Sequence, residues 1–438
     1  MEDFARVAPR KRRRQKKKKA TAAAAVATLP DDVVLEILAR AADDDAALFR
    51  CAVSCKRWRA LVADPSFLRR RWPEGARDPG SLLGFFQTTW KSRLTPFVPV
   101  PRSPLGPGHR LLSSFFPNDG GLLHDAVPLA SRSGLLLVRL RSWHISFNSV
   151  QEWTDIDQGL VRLAVCNPLA RTWDELPPLH HGSQVMSEYA ILTDEDHCPK
   201  GRLQKRLPSY TTLFKVIIIM VAPHKVYTFS SAESSWSTPA RCFEHIEHRE
   251  YDFVHGNPVV SQGKIHWLLK GSGNFRTLEF CVETDHVSII QFPIAQDFFE
   301  YNFYHGPVLN VAVDGKLSLI CLHKKFLRLQ IFTHQGDEGG GNGVADTIHT
   351  EVTELKHKAP PNEALYMYVG EKSATLLVTH RRKFVCIVNL ETGKIDEVTD
   401  MSRELKGPTV VPFEIDWPAF FVSSLEDHLR HTVDPYIV

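Results

Sequence analysis

The sequence predicts an α+β, multidomain protein: a small three-helix segment followed by a large all-β, propeller-like domain. Three observations predict it. Apolar residues recur at helical spacing between residues 28 and 72 and hardly anywhere else. From about residue 111 to 425 the pattern changes to short apolar or alternating runs separated by turn residues. Within that stretch a strand–turn–strand phrase returns at intervals close to the size of one propeller blade.

The chain has 438 residues, 43% of them hydrophobic and 24% charged, enough for a small domain and a larger one. Residues 1–27 read as a disordered basic tail and Ala-rich spacer. The run Arg10, Lys11, Arg12, Arg13, Arg14, Lys16, Lys17, Lys18 and Lys19 repels itself and has nothing to bury. Its functional reading is a nuclear-localisation signal, which gives an expected location of nucleus and cytoplasm; a solubilising or generally polyanion-binding tail is the other reading. Residues 1–20 carry ten Lys/Arg and two Asp/Glu, so the remainder has 43 basic and 48 acidic residues, a net of −5. The basic balance of the whole chain therefore resides in the tail, and nucleic acid is expected to bind only non-specifically, through that tail.

Residues 28–72 form the helical segment. Leu29, Val33, Val34, Ile37, Leu38 and Ala41 make the first apolar stripe. Pro30 suits a first helical turn, and Asp31 and Asp32 complement its positive end. Asp43-Asp44-Asp45 offers a turn and a second cap. Phe49, Ala52 and Val53 form the next stripe. Trp58, Leu61 and Val62 form a third, expected to stop at Asp64-Pro65.

Residues 73–110 read as a hinge or linker rich in Pro and Gly, with one strand at Leu82–Gln87. Residues 111–438 read as the β domain. Strands are expected at Gly134–Arg141, Val161–Cys166, Leu213–Val221, Lys225–Phe229, Lys264–Leu269, Arg276–Val282, Leu317–Leu322, Leu327–Phe332, Thr375–Thr379 and Phe384–Asn389. In Cys166-Asn-Pro-Leu-Ala-Arg-Thr-Trp173 a strand ends, turns and restarts seven residues later. Phe229–Trp236 and Val388–Ile395 repeat that form; Phe280–Val287 and the segment near Ile331 fit more loosely. These anchors are 63, 51, 51 and 57 residues apart, against about 50 for a four-stranded blade. Six blades follow, with a β-sandwich as the alternative. Ala419–Ser424 is the candidate closing strand, set against Leu82–Gln87.

Three short helices cannot bury Leu29, Val34, Ile37, Leu38, Leu48 and Trp58 against one another, although each contributes roughly 1.5–3 kcal/mol when fully buried. The surplus must meet the β domain or another protein. The stretches Leu29-Pro30-Asp31-Asp32-Val33-Val34-Leu35-Glu36-Ile37-Leu38, Leu48–Arg59 and Leu61–Phe67 resemble an F-box in order and spacing. Ala41 departs from the Leu common there, and Asp43–Asp45 make an unusually acidic turn. The resemblance implies a Skp-type adaptor, and through it a cullin, as partners. It implies an adaptor surface of Leu29, Pro30, Val34, Ile37, Leu38, Leu48, Val53 and Trp58; packing inside the motif or onto the β domain is the other role open to each. Val165–Trp173 followed by Leu176-Pro177 resembles the β-rich, partly Kelch-like receptor domains that follow F-boxes in many plant proteins. Such a chain is expected to be a non-catalytic substrate-recognition subunit of an E3 ubiquitin ligase, holding an unknown target on the β domain.

The sequence points to no other chemistry. It has no GxxxxGK[ST], GxGxxG or GxSxG element. Gly339–Gly343 sits among acidic residues and suits a loop. His180-His181 and His245/His248 lack a ligand set, and Asp194-Glu-Asp-His-Cys198 reads as a solvated loop. No metal or cofactor is expected. The eight scattered Cys read as reduced thiols. Trp143, Trp153, Trp173, Trp236 and Trp267 are expected in the blade core. No run of about 18 apolar residues is present to cross a membrane. The competing functions are an enzyme, which needs paired carboxylates, and a nuclear scaffold or chromatin-associated binder using the tail.

Overall fold

The structure, a computed structural model, describes residues 29–41, 45–73, 77–87, 94–101, 103, 105–106, 108–140, 160–180, 187–193, 196, 213–220, 225–238, 240–241, 252–254, 257–271, 274–295, 307–312, 315–323, 328–334, 348–354, 365–380, 385–397, 410–422 and 425. The basic run 10–19, the Gly339–Gly343 segment, Trp143, Trp153, His181 and His245/His248 lie outside them. The chain divides into two compact units, Met1–Phe67 and Leu68–Val438.

The first unit holds helices α1 (Asp31–Ala41), α2 (Asp45–Ser54) and α3 (Lys56–Val62); α4 (Pro65–Arg71) spans the boundary. α4 is one helix more than the three apolar stripes predict. Pro65 ends α3's run and opens α4, because a ring that cannot continue a helix is well placed in its first turn. Asp64 Oδ1 caps the new helix by accepting the Ser66 N–H at 2.8 Å. α2 and α1 both pack on α3. Val34, Leu38, Leu48, Ala52 and Val62 are buried.

The second unit is a six-blade β-propeller of antiparallel sheets. Blade 2 is typical: Val127–Arg132, Leu135–Leu140, Leu160–Asn167 and Thr172–Glu175, in order from the innermost strand outward. The innermost strands of blades 3 to 6 are Ser187–Thr193, Val259–Ser261, Val308–Val311 and Leu365–Gly370. Blade 1 is assembled from both ends of this unit. Leu82–Gln87, Pro96–Pro99 and Arg110–Leu111 come early, and Val410–Glu414 comes late and takes the innermost place. Residues 73–110, read from the sequence as a linker with one strand, thus supply three strands of the closing blade. Short strands separated by Pro-rich loops give too little periodicity to show this in one dimension.

The closing strand is Val410–Glu414, paired with Leu82–Gln87, and not Ala419–Ser424. Residues 417–422 are helical. Asp416 Oδ1 accepts the Ala419 N–H at 2.8 Å and Pro418 stands in the first turn, both signals for a helix start. Pro412 is tolerated in the closing strand because the innermost strand is a sheet edge, where a missing N–H breaks no ladder.

The recurring phrase marks the outer hairpin of each blade. Cys166 faces Trp173, Phe229 faces Trp236, Phe280 faces Val287, and Val388 faces Ile395 across adjacent strands. In every case the fifth residue after the anchor takes positive φ: Arg171 58°, Ser234 52°, Asp285 52° and Gly393 66°. Asn167 and Asn389 brace two of these turns, each accepting two backbone N–H groups through Oδ1. Ile331 instead faces Glu351, because its hairpin is longer.

Strand alternation places an apolar layer between each pair of blades. Leu135, Leu137, Leu163 and Val165 face blade 3, whereas Leu136, Val138, Leu140 and Cys166 face blade 1. The layer between blades 1 and 2 is aromatic: Phe86 lies 4.9 Å from Phe97 and 5.4 Å from Phe413. Gly84 lets the Phe97 ring lie over the strand, since a Cβ there would come within 2.5 Å of it. Trp267 is buried between blades 3 and 4. Trp173 and Trp236 are partly buried, the Trp236 ring tilted against Phe229 with centroids 5.3 Å apart. No helix among the described residues is long and apolar enough to cross a membrane.

Phe413→Ala should lower stability by about 3–5 kcal/mol in urea unfolding, and truncation before Val410 should remove the cooperative transition. His266, buried beside Glu279, has its pKa pushed down to about 4 by burial. Its folded-state pKa lies below the unfolded value, so the neutral ring's contribution is complete above about pH 6.5 and falls away towards pH 4. His266→Gln should flatten the fall of Tm over that interval.

Candidate functional site

Helix α1 is two-faced. Val34 and Leu38 point inward and are buried. Leu29, Val33 and Ile37 remain 52%, 39% and 45% exposed. Val33 and Ile37 are four residues apart and so share one side of the helix, and Leu29 lies two residues before its start. Only one other described large apolar residue, Leu213, is comparably exposed. Arg57 of α3 fixes the start of this face. Its Nε and Nη2 donate to Asp31 Oδ1 at 2.9 and 2.6 Å, and Nη2 also donates to the Leu29 carbonyl. Pro30 is exposed, and its carbonyl accepts the Val34 N–H at 3.0 Å.

In the propeller, charged side chains gather where the innermost strands end. Arg132 Nε and Nη2 donate to Asp196 Oδ2 and Oδ1 at 2.8 and 2.5 Å, a bidentate pair. Arg132 Nη1 donates to Glu371 Oε2 at 2.6 Å. Glu371 Oε1 accepts the Val260 N–H at 3.3 Å. Glu414 accepts the N–H groups of Lys372 and Ser373 at 3.0 and 2.9 Å. Lys372 Nζ pairs with Asp416 Oδ2 at 2.7 Å. Ser261 Oγ donates to the Gly315 carbonyl at 2.9 Å, and Arg77 donates to the Val311 carbonyl. These bonds engage all six blades.

The cluster is nearly dry, with the Arg132 and Asp196 side chains 16% and 7% exposed. Burial raises the Asp196 pKa, but the Arg132 charge and hydrogen bonds outweigh it, so the carboxyl titrates below its ordinary range. Burial pushes Glu371 up, and Arg132 offsets that only in part. Each of these carboxylates already accepts from a cation or a backbone N–H. This arrangement ties the ends of the innermost strands together.

A search of protein families matches residues 26–72 to the F-box-like family. Residues 26–72 are an F-box-like domain. No curated protein matches the chain by sequence. Solved structures match at low identity. A DUF4784 family protein from Bacteroides caccae is 9% identical over 76% of this chain and 73% of its own, with a TM-score of 0.39. A protein from Lactobacillus plantarum is 10% identical over 72% and 80%, with a TM-score of 0.38. Saccharomyces cerevisiae Sqt1 is 10% identical over 72% and 70%, with a TM-score of 0.34. Likeness at this level carries no functional content.

The F-box-like domain sorts the expected adaptor residues into three groups. Leu29, Pro30 and Ile37 are exposed. Val34, Leu38 and Leu48 are buried, and Val53 and Trp58 are half-buried. Val34 and Leu38 follow Val33 and Ile37 by one residue, about 100° further round the helix. Helical spacing gave the stripe but not which side of it faces inward. Val33 and Arg57 are additions to that residue set. Val33 was legible as an apolar residue of the stripe, whereas the Arg57–Leu29 contact joins residues 28 apart and left no local signal. Among the described residues no His, Cys, Asp and Glu group could hold a metal, and the described cysteines are free thiols.

Arg132→Met should cost about 3–5 kcal/mol in urea unfolding, because it leaves buried carboxylates without their cation. Adding Asp196→Asn and Glu371→Gln should recover part of that loss.

Proposed function

We propose that this chain is the substrate-recognition subunit of a Skp–cullin–F-box E3 ubiquitin ligase. The observation that carries the reading is the F-box-like domain at residues 26–72, whose first helix displays Val33 and Ile37, with Leu29 exposed just before it. An exposed apolar row on a small helical unit suits burial in a partner's groove. A Skp-type adaptor is that partner, and a cullin is reached through it. The propeller holds the target protein. The chain itself breaks and makes no bonds. It raises the effective concentration of target lysines at the ubiquitin-carrying enzyme. Import through the basic run Arg10–Lys19, giving a nuclear and cytoplasmic location, belongs to the same proposal.

The test is co-purification with a Skp-type adaptor. Val33→Asp with Ile37→Asp should weaken adaptor binding by about a hundredfold or more, since each puts a charge into a desolvated contact. The Tm of the propeller should stay within error. Undiminished adaptor binding by the double variant, with the helices still folded by circular dichroism, would overturn the assignment.

A further inference from the structure

Residues 77–81 lie on the propeller as a short strap, held at several points. Arg77 donates to the Val311 carbonyl of blade 5. The Asp78 N–H donates to the Lys372 carbonyl of blade 6 at 2.9 Å. Asp78 Oδ1 caps the turn Pro79–Ser81 by accepting the Gly80 N–H at 2.9 Å. Trp417 Nε1 donates to the Gly80 carbonyl at 3.2 Å, and the Ile415 N–H donates to the Ser81 carbonyl at 3.0 Å.

We propose that this strap and the charged cluster at the ends of the innermost strands are one latch, joined through the turn Glu371–Ala374, so that neither opens without the other. The junction is a single peptide group. The Lys372 carbonyl accepts from Asp78 of the strap, while the Ser373 N–H of the same peptide donates to Glu414 at 2.9 Å. A peptide group is planar, so its carbonyl and its N–H turn together. Rotating it to free Asp78 also withdraws the N–H from Glu414. The neighbouring peptide is tied as well, since the Lys372 N–H meets the other Glu414 oxygen at 3.0 Å. One residue earlier, the Glu371 side chain holds Arg132 and the Val260 N–H. The turn has no room to adjust by itself. A Cβ on Gly370 would come within 2.5 Å of Ser373 Oγ and 3.0 Å of the Glu414 carboxyl carbon, and Ala374 is held at φ 48°. The coupling is reciprocal: whatever loosens the cluster frees the strap, and whatever pulls the strap away loosens the cluster.

Hydrogen exchange read by mass spectrometry on the full chain tests this, using Glu414→Gln and Arg77→Ala. Glu414→Gln replaces one accepting oxygen by an NH2 group that cannot accept. It should speed exchange about tenfold in the strap peptide covering residues 77–81. Arg77→Ala removes the strap's hydrogen bond to the Val311 carbonyl of blade 5, yet it should speed exchange about as much in peptides covering 130–134 and 371–374. If Glu414→Gln disturbs the whole propeller, the strand Phe214–Met220 will also exchange faster, and Arg77→Ala then decides. An Arg77→Ala effect confined to 77–81, or a wild-type strap exchanging as fast as an unstructured peptide, would overturn the latch. Adaptor binding plays no part in this readout.

Discussion

A ring of sheets has two ends that must meet, and here they meet in one antiparallel pairing. Val410–Glu414 lies against Leu82–Gln87, more than 300 residues away in the chain. Closing so long a loop is entropically costly, though the cost grows only slowly with loop length. The return comes from two apolar layers at once. Val411 and Phe413 enter the layer between blades 1 and 2, and Val410 enters the layer between blades 6 and 1. Alternation along one strand therefore glues both neighbours. The aromatic crowding of Phe86, Phe97, Phe115 and Phe413 is concentrated where the ring would otherwise come apart.

The polar counterpart of that closure is the cluster built around Arg132. Charges buried this deeply contribute little net stability, because desolvation offsets their attraction. Their value is directional. A guanidinium fork satisfied by Asp196 and Glu371 fixes three blades at set distances, and Glu414 fixes a fourth through backbone N–H groups. Apolar layers can slide; bidentate hydrogen bonds cannot. The same bonds engage the carboxylates, so this group of acids serves as a fastening.

The helical unit follows a different logic. Its inward face is filled by Val34, Leu38, Leu48, Ala52 and Val62, while Leu29, Val33 and Ile37 are left outside. An exposed apolar row gains nothing from water, and that is the physical ground for the proposed adaptor contact. Arg57 holds the row's first member by its backbone carbonyl and by Asp31, so the edge is pre-set before any partner arrives.

Much of this was readable one residue at a time. Helical spacing, strand alternation and turn chemistry act over a few residues, so the sequence alone located the F-box-like segment, most of the strands and the seven-residue hairpin phrase. The phrase worked because cross-strand partners joined by a tight turn stand at a constant separation, as Cys166 and Trp173 do. The closing strand was misplaced by several residues, since nothing near Val410 shows that its partner is Leu82–Gln87. The cluster joining Arg132 to Asp196 and Glu371 left no trace either, because its members are 64 and 239 residues apart. Local periodicity decides which elements form. Which strand closes the ring, which face of α1 stays outside and which charges share a dry site are decided by long-range packing, and only the tertiary structure sets them.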